Sequence, residues 1–519
     1  MADFLPEHEL LAAIDLGSNS FHLAIAKMEY GEARKIASLS EKVQLGAGLD
    51  EHNNLTEEAQ QRGLDCLSRF VARIGAVKPC YIRIVATNAL RQANNAAEFV
   101  QRASAILPKP IEIIAGREEA RLIYMGVTQA VGCDESRRLV VDIGGGSTEF
   151  IIGRSAAPIH TESLQMGCVS YTQKFFADGH ITVAAFDRAV AAAKKQIKVL
   201  VHPYKATGWD QVIGSSGTIK ACCHVMHSLG LTNEQGHITR HGLYALQQDL
   251  LLLKHVDHID FKELKQDRRA LLPAGLAILL GVFEALELQS MAYSDGALRE
   301  GVMYDLVGRF RKQDSRDHSV QLLMTRYHVD EAHALRVATT AKQLFDHVAT
   351  ALQLGKDDDD LLRRAACLHE VGLTISHSGY HRHGAYILQH SDIAGFSHND
   401  QTRLAMLIGQ HRRKLKPELK QNILSIGGLP LLYDCLLLRM SVLLHRDRSE
   451  QVLHKVTLEI TGKDVWQLSI GDNKPSTDRQ ANFSLLADVQ EEQQQFEHWG
   501  IQLHVFGNDN PRGELNHES

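Results

Sequence analysis

The sequence contains the same unusual phrase twice, about one domain apart. Residues 10–21 read LLAAIDLGSNSF and residues 139–150 read LVVDIGGGSTEF. Each phrase runs from apolar residues into an aspartate, one aliphatic residue, a glycine and then small polar residues. Glycine lets the backbone approach an anion closely and point its N–H groups at it. Two such turns, each after an apolar strand, predict two duplicated subdomains that hold phosphate groups between them.

The aspartates of the two phrases predict a metal ion. An ionised carboxylate repels phosphate, so Asp15 and Asp142 do not hold the anion directly. Carboxylate oxygens bind hard divalent cations, and such a cation neutralises phosphate oxygens. We therefore predict a Mg²⁺ site formed by Asp142 and Glu149, which bracket the second loop, with Asp15 as their counterpart in the first.

The rest of the chain predicts an α/β half followed by a helical half. Short β-type runs alternate with helical patterns at first, and a helical, His- and Arg-rich stretch follows. Strand-like runs return after about residue 451. A chain of 519 residues is too long for one core. The predicted domains are 1–126 and 127–311, both α/β, then 312–448, helical, and 449–519, small and β-rich.

Composition narrows the class of protein. The formal net charge is −6, so no basic field indicates nucleic-acid binding, and a polyanion must be bound by local basic clusters. The N-terminus lacks the apolar segment of a signal peptide, and the apolar run at 271–283 is too short to span a bilayer. The eight cysteines form no CxxC pair, which favours reduced thiols. We expect a cytoplasmic protein without a transmembrane segment; peripheral association with the inner membrane face stays open.

A set of motifs over the first 310 residues resembles the exopolyphosphatase/guanosine pentaphosphate phosphohydrolase family. In order, they are IDLGSNSFHLAIAK, TNALRQANNAAEF, AGREEARLIYMGV, DIGGGSTEFIIG, MGCVSYTQKFF, GSSGTIKA and SDGALREGVMYD. The helical half resembles the long bacterial members through LRRAACLHEVGL and HSGYHRHGAYILQHSDIAGF. The resemblance implies two actin-like (ribonuclease H-like) subdomains with an active-site cleft between them. It further implies an all-α HD-like domain, a small C-terminal α+β domain and a homodimer.

The same resemblance gives roles to residues in these motifs. The second glutamate of AGREEARL, Glu119, is the expected general base, whereas Glu118 is expected to be a solvated residue of a first helical turn. Arg91 is expected to contact phosphate through its guanidinium. The other expected phosphate-binding residues are Ser18, Asn19, Gly144, Gly145, Gly146, Ser147, Thr148, Gly214, Ser215, Ser216 and Gly217.

Motif details favour inorganic polyphosphate as the substrate. DIGGGSTE has a third glycine where the pentaphosphate enzymes resemble DIGGAST, and SDGALREG and HSGYHRHGAYIL also look like exopolyphosphatase forms. The predicted reaction is release of terminal orthophosphate by Mg²⁺-dependent hydrolysis. The alternative substrate is guanosine pentaphosphate, converted to the tetraphosphate of the stringent response. A non-catalytic sensor of polyphosphate or alarmone, and an ATP-using kinase or chaperone-like ATPase, are further alternatives.

The helical half offers basic groups and one incomplete motif. LHEVGL (368–373) looks like an HD-type phosphohydrolase motif with Glu370 in place of aspartate. The remaining metal ligands of such a centre cannot be assembled from the sequence, so we predict polymer binding here. The residues expected to line a polyphosphate channel are His377, His383, Arg412, Arg413 and Lys414.

Overall fold

The computed structural model of the chain describes residues 6, 8–29, 32–132, 134–310, 314–448, 456–462, 464–470 and 479–507, with backbone alone for 479–487. The chain forms two compact units, which adjoin in sequence at Ser315 and Arg316. The predicted boundary between residues 311 and 312 lies outside the described residues, as does residue 449, the predicted start of the last domain. The division into four domains stays a prediction.

The first unit alternates strands and helices, as the sequence predicts. Its strands are β1 (Leu10–Leu16), β2 (Ser20–Glu29), β3 (Glu32–Lys42), β4 (Ile82–Ala86), β5 (Glu112–Ile113), β6 (Arg137–Ile143), β7 (Thr148–Arg154), β8 (Ala157–Leu164), β9 (Gln211–Ser215), β10 (Ile238–Thr239) and β11 (Ser290–Tyr293). Its helices are α1 (Glu57–Ile74), α2 (Asn88–Gln92), α3 (Ala96–Ser104), α4 (Gly116–Val131), α5 (Cys168–Phe175), α6 (Val183–Thr207), α7 (Ser216–Ser228), α8 (Arg240–Leu253), α9 (Leu272–Leu286) and α10 (Leu298–Phe310).

Two sheets of the first unit repeat one topology. The first sheet has the order β3-β2-β1-β4-β5, and β1 pairs antiparallel with β2 and parallel with β4. The second has the order β10-β11-β9-β6-β7-β8, and β6 takes the place of β1 between antiparallel β7 and parallel β9. An antiparallel meander continued by parallel strands is the ribonuclease H-like arrangement. The predicted pair of actin-like subdomains is therefore confirmed.

Helices α4 and α10 lie between the two sheets. Their apolar side chains form one core with inward-facing residues of β1, β4, β6, β7 and β9. The outer faces of the sheets are covered by α1 and α3 on one side and by α5 to α9 on the other. Glycine permits the close contact of α4 with α10, because a Cβ on Gly301 would lie 1.8 Å from the Leu122 carbonyl oxygen. The helix pair thus joins both sheets through one buried layer.

The second unit is helical, with a small sheet near its end. Its helices are α11 (Ser315–Arg326), α12 (Glu331–Leu352), α13 (Lys356–Leu368), α14 (Tyr380–His390), α15 (His398–Gln410), α16 (Pro417–Leu444) and α17 (Arg479–Glu497). Its strands are β12 (Val456–Gly462), β13 (Val465–Ile470) and β14 (Gln502–Gly507), in that order in the sheet. Trp466 and Leu468 of the sheet belong to the same apolar core as the helices. The helices and the sheet therefore share one core.

Two helices are long and apolar enough, by length and composition, to cross a membrane. They are Gln266–Leu286 and Pro417–Leu444, and 72% and 61% of their most apolar windows are buried inside the protein. The first includes α9, whose residues Leu272 to Phe283 are all buried. The prediction that residues 271–283 form a core helix is confirmed.

A buried ion network ties β4 to α4 and α10. Asp305 accepts hydrogen bonds from Arg83 Nη1 at 2.7 Å and from Arg121 Nη2 at 2.6 Å. Arg121 Nε also donates to Glu118 Oε2 at 2.7 Å. All four side chains are buried. Burial alone would raise the pKa of Asp305, but the charges of Arg121 and Arg83 outweigh it and hold that pKa well below its usual range.

Replacing Asp305 with asparagine should destabilise the first unit strongly. The substitution keeps the size of the side chain but leaves the charges of Arg83 and Arg121 without their shared counter-ion, which costs about 3–5 kcal/mol in a buried pair. Urea unfolding followed by hydrogen exchange in peptides of the first unit measures the loss. The control is Glu41→Gln, which breaks a partly exposed pair with Arg69 and should cost at most about 1 kcal/mol. Equal losses for the two variants would contradict the prediction.

Candidate active site

The two Asp-Gly turns face each other across a cleft in the first unit. The first turn joins β1 to β2, and the second joins β6 to β7. A Cβ on Gly145 would lie 3.1 Å from Ser18 Cβ and 3.2 Å from the Asn19 nitrogen, and a Cβ on Gly146 would lie 2.2 Å from Asn88 Oδ1. The turns are therefore in contact distance of one another, and only glycine fits at Gly146 without a shift of its neighbour.

A cavity of about 410 Å³ lies along these turns. It brings together most of the predicted site residues, which come from both subdomains and from the turn before α7. The predicted residues in its lining are Asp15, Ser18, Asn19, Glu119, Asp142, Gly144, Gly145, Gly146, Ser147, Ser216 and Gly217. The volume is within the usual range for a small-molecule site.

Three of the predicted phosphate-binding residues lie behind the cavity. Thr148 and Ser215 are fully buried, and their hydroxyls donate to the carbonyl oxygens of Met166 at 2.5 Å and Gly296 at 2.8 Å. Gly214 is a buried residue of β9. The two hydroxyls thus serve the strand ends that support the loops, and none of the three residues is in the cavity lining. Their contact with phosphate stays a prediction.

Glu119 lies at the start of α4, with its carboxylate held in place. Its Oε2 accepts a hydrogen bond from Arg91 Nη1 at 3.1 Å, and Arg91 also donates to the Ile114 carbonyl at 2.8 Å. Arg91 itself is not in the cavity lining. Burial raises the pKa of Glu119, and the Arg91 charge partly opposes this. The prediction that Glu118 is solvated is wrong, because Glu118 is buried in the ion network with Arg121.

Four carboxyl groups are buried together in the cleft. Asp142 lies opposite Glu149 in the β6–β7 register, so the two side chains share a face of the sheet. Burial raises the pKa of Asp142 to about 7, and the Glu119 charge adds to the effect. Burial and the Glu119 charge also raise the pKa of Asp15 and of Glu149 well above their ordinary values. The four carboxyl groups thus lie close enough for their charges to raise one another's pKa values.

The residues of the cleft fit a divalent cation. Asp15 Oδ1 is buried and has no hydrogen-bond partner within the described part of the chain, which leaves an oxygen available as a ligand. Asp142 and Asp15 both line the cavity, as hard oxygen donors should. Glu149 is set behind Asp142 and accepts a hydrogen bond from Ser163 Oγ at 2.8 Å. Asp15 and Asp142 would hold Mg²⁺, and the Ser215 hydroxyl, which is hydrogen-bonded to the Asp142 side chain, would orient Asp142. Glu149 is not in the cavity lining, and its role as a metal residue stays a prediction.

The cavity extends to residues that the sequence analysis missed. Tyr293 lines its far end, with Lys220 Nζ 5.6 Å from the ring centre and His224 at 6.4 Å between ring centres. Arg268 and Arg299 line the same cavity. Tyr293 ends β11, away from the duplicated phrase, whereas Lys220 and Arg299 are part of the quoted GSSGTIKA and SDGALREG motifs.

The residues predicted to bind a long polyanion lie in the second unit. Arg412, Arg413, Lys414 and His377 line a cavity of about 610 Å³ there. His383, on α14, is partly buried and is not in this lining. Four of the five predicted residues therefore line the same cavity.

Family comparison agrees with this architecture. The model of the Ppx/GppA phosphatase family matches residues 24–310, and the model of Ppx/GppA phosphatase domain III matches residues 315–493. The chain belongs to the Ppx/GppA phosphatase family. Ppx/GppA enzymes are hydrolases that act on phosphoanhydrides, and they depend in general on a divalent cation.

Several curated Ppx/GppA relatives are similar over most of the chain. A guanosine-5'-triphosphate,3'-diphosphate pyrophosphatase of Vibrio cholerae is 40% identical over 442 residues, which are 85% of this chain and 88% of the relative. The protein of the same name from Vibrio vulnificus is 39% identical over 474 residues, 90% of this chain and 94% of the relative. The protein of that name from Photobacterium profundum is 38% identical over 448 residues, 86% and 89% of the two chains.

Solved structures of the family share the fold of the first unit. An exopolyphosphatase-like protein is 25% identical, with a TM-score of 0.52, and covers 59% of this chain and 99% of its own. An exopolyphosphatase from Cytophaga hutchinsonii is 23% identical, with a TM-score of 0.51, and covers 58% of this chain and 98% of its own. The structural likeness therefore concerns the part of the Ppx/GppA chain that carries the cleft.

Replacing Asp142 with asparagine should weaken the use of Mg²⁺. Asparagine keeps the shape but removes the charge, so the Mg²⁺ concentration for half-maximal phosphate release should rise about tenfold or more. A Mg²⁺ titration of phosphate release measures the change. Asp187→Asn, on the exposed face of α6, is the control and should behave as the parent protein. Identical Mg²⁺ curves for the folded variants would remove Asp142 from the metal site.

Proposed function

We propose that this protein removes the terminal phosphate of guanosine 5'-triphosphate 3'-diphosphate by hydrolysis. The observation that carries the proposed hydrolysis is the buried Glu119 carboxylate beside two glycine-rich turns in one cavity. The named substrate is supported by curated relatives that are 38–40% identical over 85–90% of this chain. The Tyr293 ring, with its basic neighbours Lys220 and His224, is a surface on which a purine base can stack.

In this proposal the turns bind the phosphate chain and Glu119 activates water. Gly145, Gly146 and Ser18 line the cavity, and the backbone N–H groups of the two glycines and the Ser18 hydroxyl would donate to the terminal phosphate. The Ser147 hydroxyl instead donates to the Glu149 carboxylate. Glu119 takes the proton of the attacking water at its carboxylate, and its raised pKa makes it a better base at neutral pH. Arg91 fixes the orientation of that carboxylate through its hydrogen bond.

The bound Mg²⁺ would supply charge neutralisation at the transferred phosphoryl group. Asp15 and Asp142 would hold it. Without such a cation, the carboxyl groups beside the turns would repel the nearest phosphate, although Arg268 and Arg299 line the same cavity. The expected requirement for a divalent cation follows from this repulsion.

Inorganic polyphosphate is the second candidate substrate. Its support is Gly146, the third glycine of the loop, where the pentaphosphate-type motif has alanine. A Cβ at this position would lie 2.2 Å from Asn88 Oδ1 of α2 and 3.3 Å from Ser18 Oγ of the first turn, so the glycine lets the second turn approach α2 more closely than alanine would. A narrower phosphate channel suits an unbranched chain of phosphates. Four further predictions accompany this candidate. They are polyphosphate binding at the basic cavity of the second unit, a homodimer, a cytoplasmic location and peripheral membrane association.

Glu119→Gln should lower turnover by about 10²–10⁴-fold, the usual range for loss of a general base. Glutamine keeps the hydrogen bond to Arg91 but takes no proton, so KM should change little. Steady-state phosphate release measures both constants. Glu98→Gln on the exposed face of α3 is the matched control. Near-normal turnover of the folded Glu119→Gln protein would exclude Glu119 as the base.

Phosphate release from the two candidate substrates, measured in parallel with and without Mg²⁺, should decide the substrate. We expect the higher kcat/KM with guanosine 5'-triphosphate 3'-diphosphate, and the reverse order would establish the polyphosphate candidate. Gly146→Ala adds a second comparison, because the added methyl meets the Asn88 side chain and moves the second turn away from α2. It should lower kcat/KM for polyphosphate more than for the guanosine substrate. A protein that binds both and hydrolyses neither would be the sensor.

A further inference from the structure

A second cavity, within the second unit, combines metal-binding side chains with basic residues. Its volume is about 610 Å³. His333 of α12 and the adjacent His369 and Glu370, which follow α13, lie together in its lining. All three are buried, at 3%, 0% and 6% exposure. Buried polar groups of this kind need partners, so their surroundings decide what they bind.

The three side chains offer one ligand atom each within a small space. These atoms, two imidazole nitrogens and a carboxylate oxygen, lie within 4.8 Å of one another. Ligands at about 2.0–2.2 Å from one ion lie about 3.0–3.6 Å apart when they are on the same side of it. The three side chains would therefore have to rotate toward one another when an ion binds. Two imidazoles and one carboxylate on one side of an ion are a known ligand set for divalent transition metals with open positions.

His369 is oriented as a ligand. Its Nδ1 donates to the Ala366 carbonyl at 2.7 Å, so the lone pair is on Nε2. That Nε2 is buried and has no hydrogen-bond partner among the described residues. The neighbouring His411 is held differently, because its Nδ1 donates to Ile408 at 2.6 Å and its Nε2 faces the Tyr380 hydroxyl at 3.4 Å. Nε2 of His369 is therefore available as a metal ligand, whereas Nε2 of His411 is next to the Tyr380 hydroxyl.

Glu370 is paired with Arg448 in the absence of an ion. The Arg448 guanidinium donates to Glu370 Oε1, and the Arg448 side chain is 46% exposed. A guanidinium at this carboxylate supplies the positive charge that a metal ion would otherwise supply. Because Arg448 is nearly half exposed, it can turn away from Glu370 when an ion arrives.

We propose that His333, His369 and Glu370 bind one divalent first-row transition-metal ion, and that the ion and the adjacent basic side chains bind a phosphate-bearing anion. Arg412, Arg413, Lys414 and Arg446 line the same cavity, so an anion on the open metal positions meets several cations. The site is separate from the Mg²⁺-dependent cleft of the first unit, whose ligands are oxygen atoms alone. The sequence motif LHEVGL is part of it through His369 and Glu370, and His333 supplies the ligand that the sequence did not disclose.

The test is a Co²⁺ titration of the full-length, metal-free protein, followed by visible absorption. Co²⁺ with imidazole ligands and open positions absorbs far more strongly than Co²⁺ in an all-oxygen octahedral site, so the first unit does not mask the signal. The parent protein should show one equivalent of the strong band. His369→Gln should abolish it, and Glu370→Gln should weaken Co²⁺ binding about tenfold or more. His398→Gln, an exposed histidine at the start of α15, is the matched control and should keep the band.

Two further measurements separate a metal site from a structural cluster. Arg448→Gln should tighten Co²⁺ binding, because the competing cation on Glu370 is removed; a structural ion pair predicts no change. Addition of phenylphosphonate should shift the band in the parent protein, and less so in Arg412→Gln. Circular dichroism verifies that each variant folds. If His369→Gln does not fold, the Co²⁺ titration of Glu370→Gln tests the metal site in its place. The metal site is overturned if the parent shows no band, or if Glu370→Gln forms the band at the same Co²⁺ concentration as the parent. The absence of a shift with phenylphosphonate overturns the anion site.

Discussion

The concentration of buried negative charge in one cleft is the constraint on which the first unit depends. Asp15, Glu119, Asp142 and Glu149 come from two sheets and one helix, and each carboxylate is removed from water. Burial of unpaired charge is costly, so such a cluster persists only when the surrounding fold holds it firmly and a counter-charge is at hand. Arg91 supplies one positive charge at Glu119. The remaining negative charge is what suits the cleft to a cation and, through the cation, to phosphate.

The fold keeps these charges close through backbone contacts that side chains would prevent. The second turn touches the first at Gly145, and α5 begins against it, where a Cβ on Gly167 would lie 2.2 Å from the Gly145 carbonyl oxygen. Helices α4 and α10 also pack with close backbone contact, where Gly301 lies against the Leu122 carbonyl at a distance from the cleft. The Arg83–Asp305–Arg121 network then fixes this helix pair to the first sheet. Small residues and a buried ion network together set the width of the cleft.

The sequence predicted the centre of the first unit better than its edges. β1, β6 and the loops after them are apolar strands followed by Asp-Gly, and this pattern is distinctive. The edge strands β3 and β8 have few buried positions and show little apolar alternation, so the sequence pattern indicates them only weakly. Glu118 was placed wrongly, because a local pattern does not reveal that its partner Arg121 is held by Asp305, which is far along the chain. His333 was missed for the same reason, since only tertiary packing brings α12 to the end of α13.

Strands β1 and β6 are duplicates, but the residues that pair with their aspartates on the neighbouring strands differ. In the second subdomain Asp142 faces Glu149, whereas in the first subdomain the position across from Asp15 belongs to His22. Burial and the neighbouring Arg299 lower the pKa of His22 to about 4, so this imidazole is uncharged at neutral pH. One side of the cleft therefore has a pair of acids and the other has an acid beside a neutral ring. Although the two subdomains are duplicates, the two sides of the cleft are chemically different. A phosphate chain bound in the reverse orientation would therefore meet a different environment.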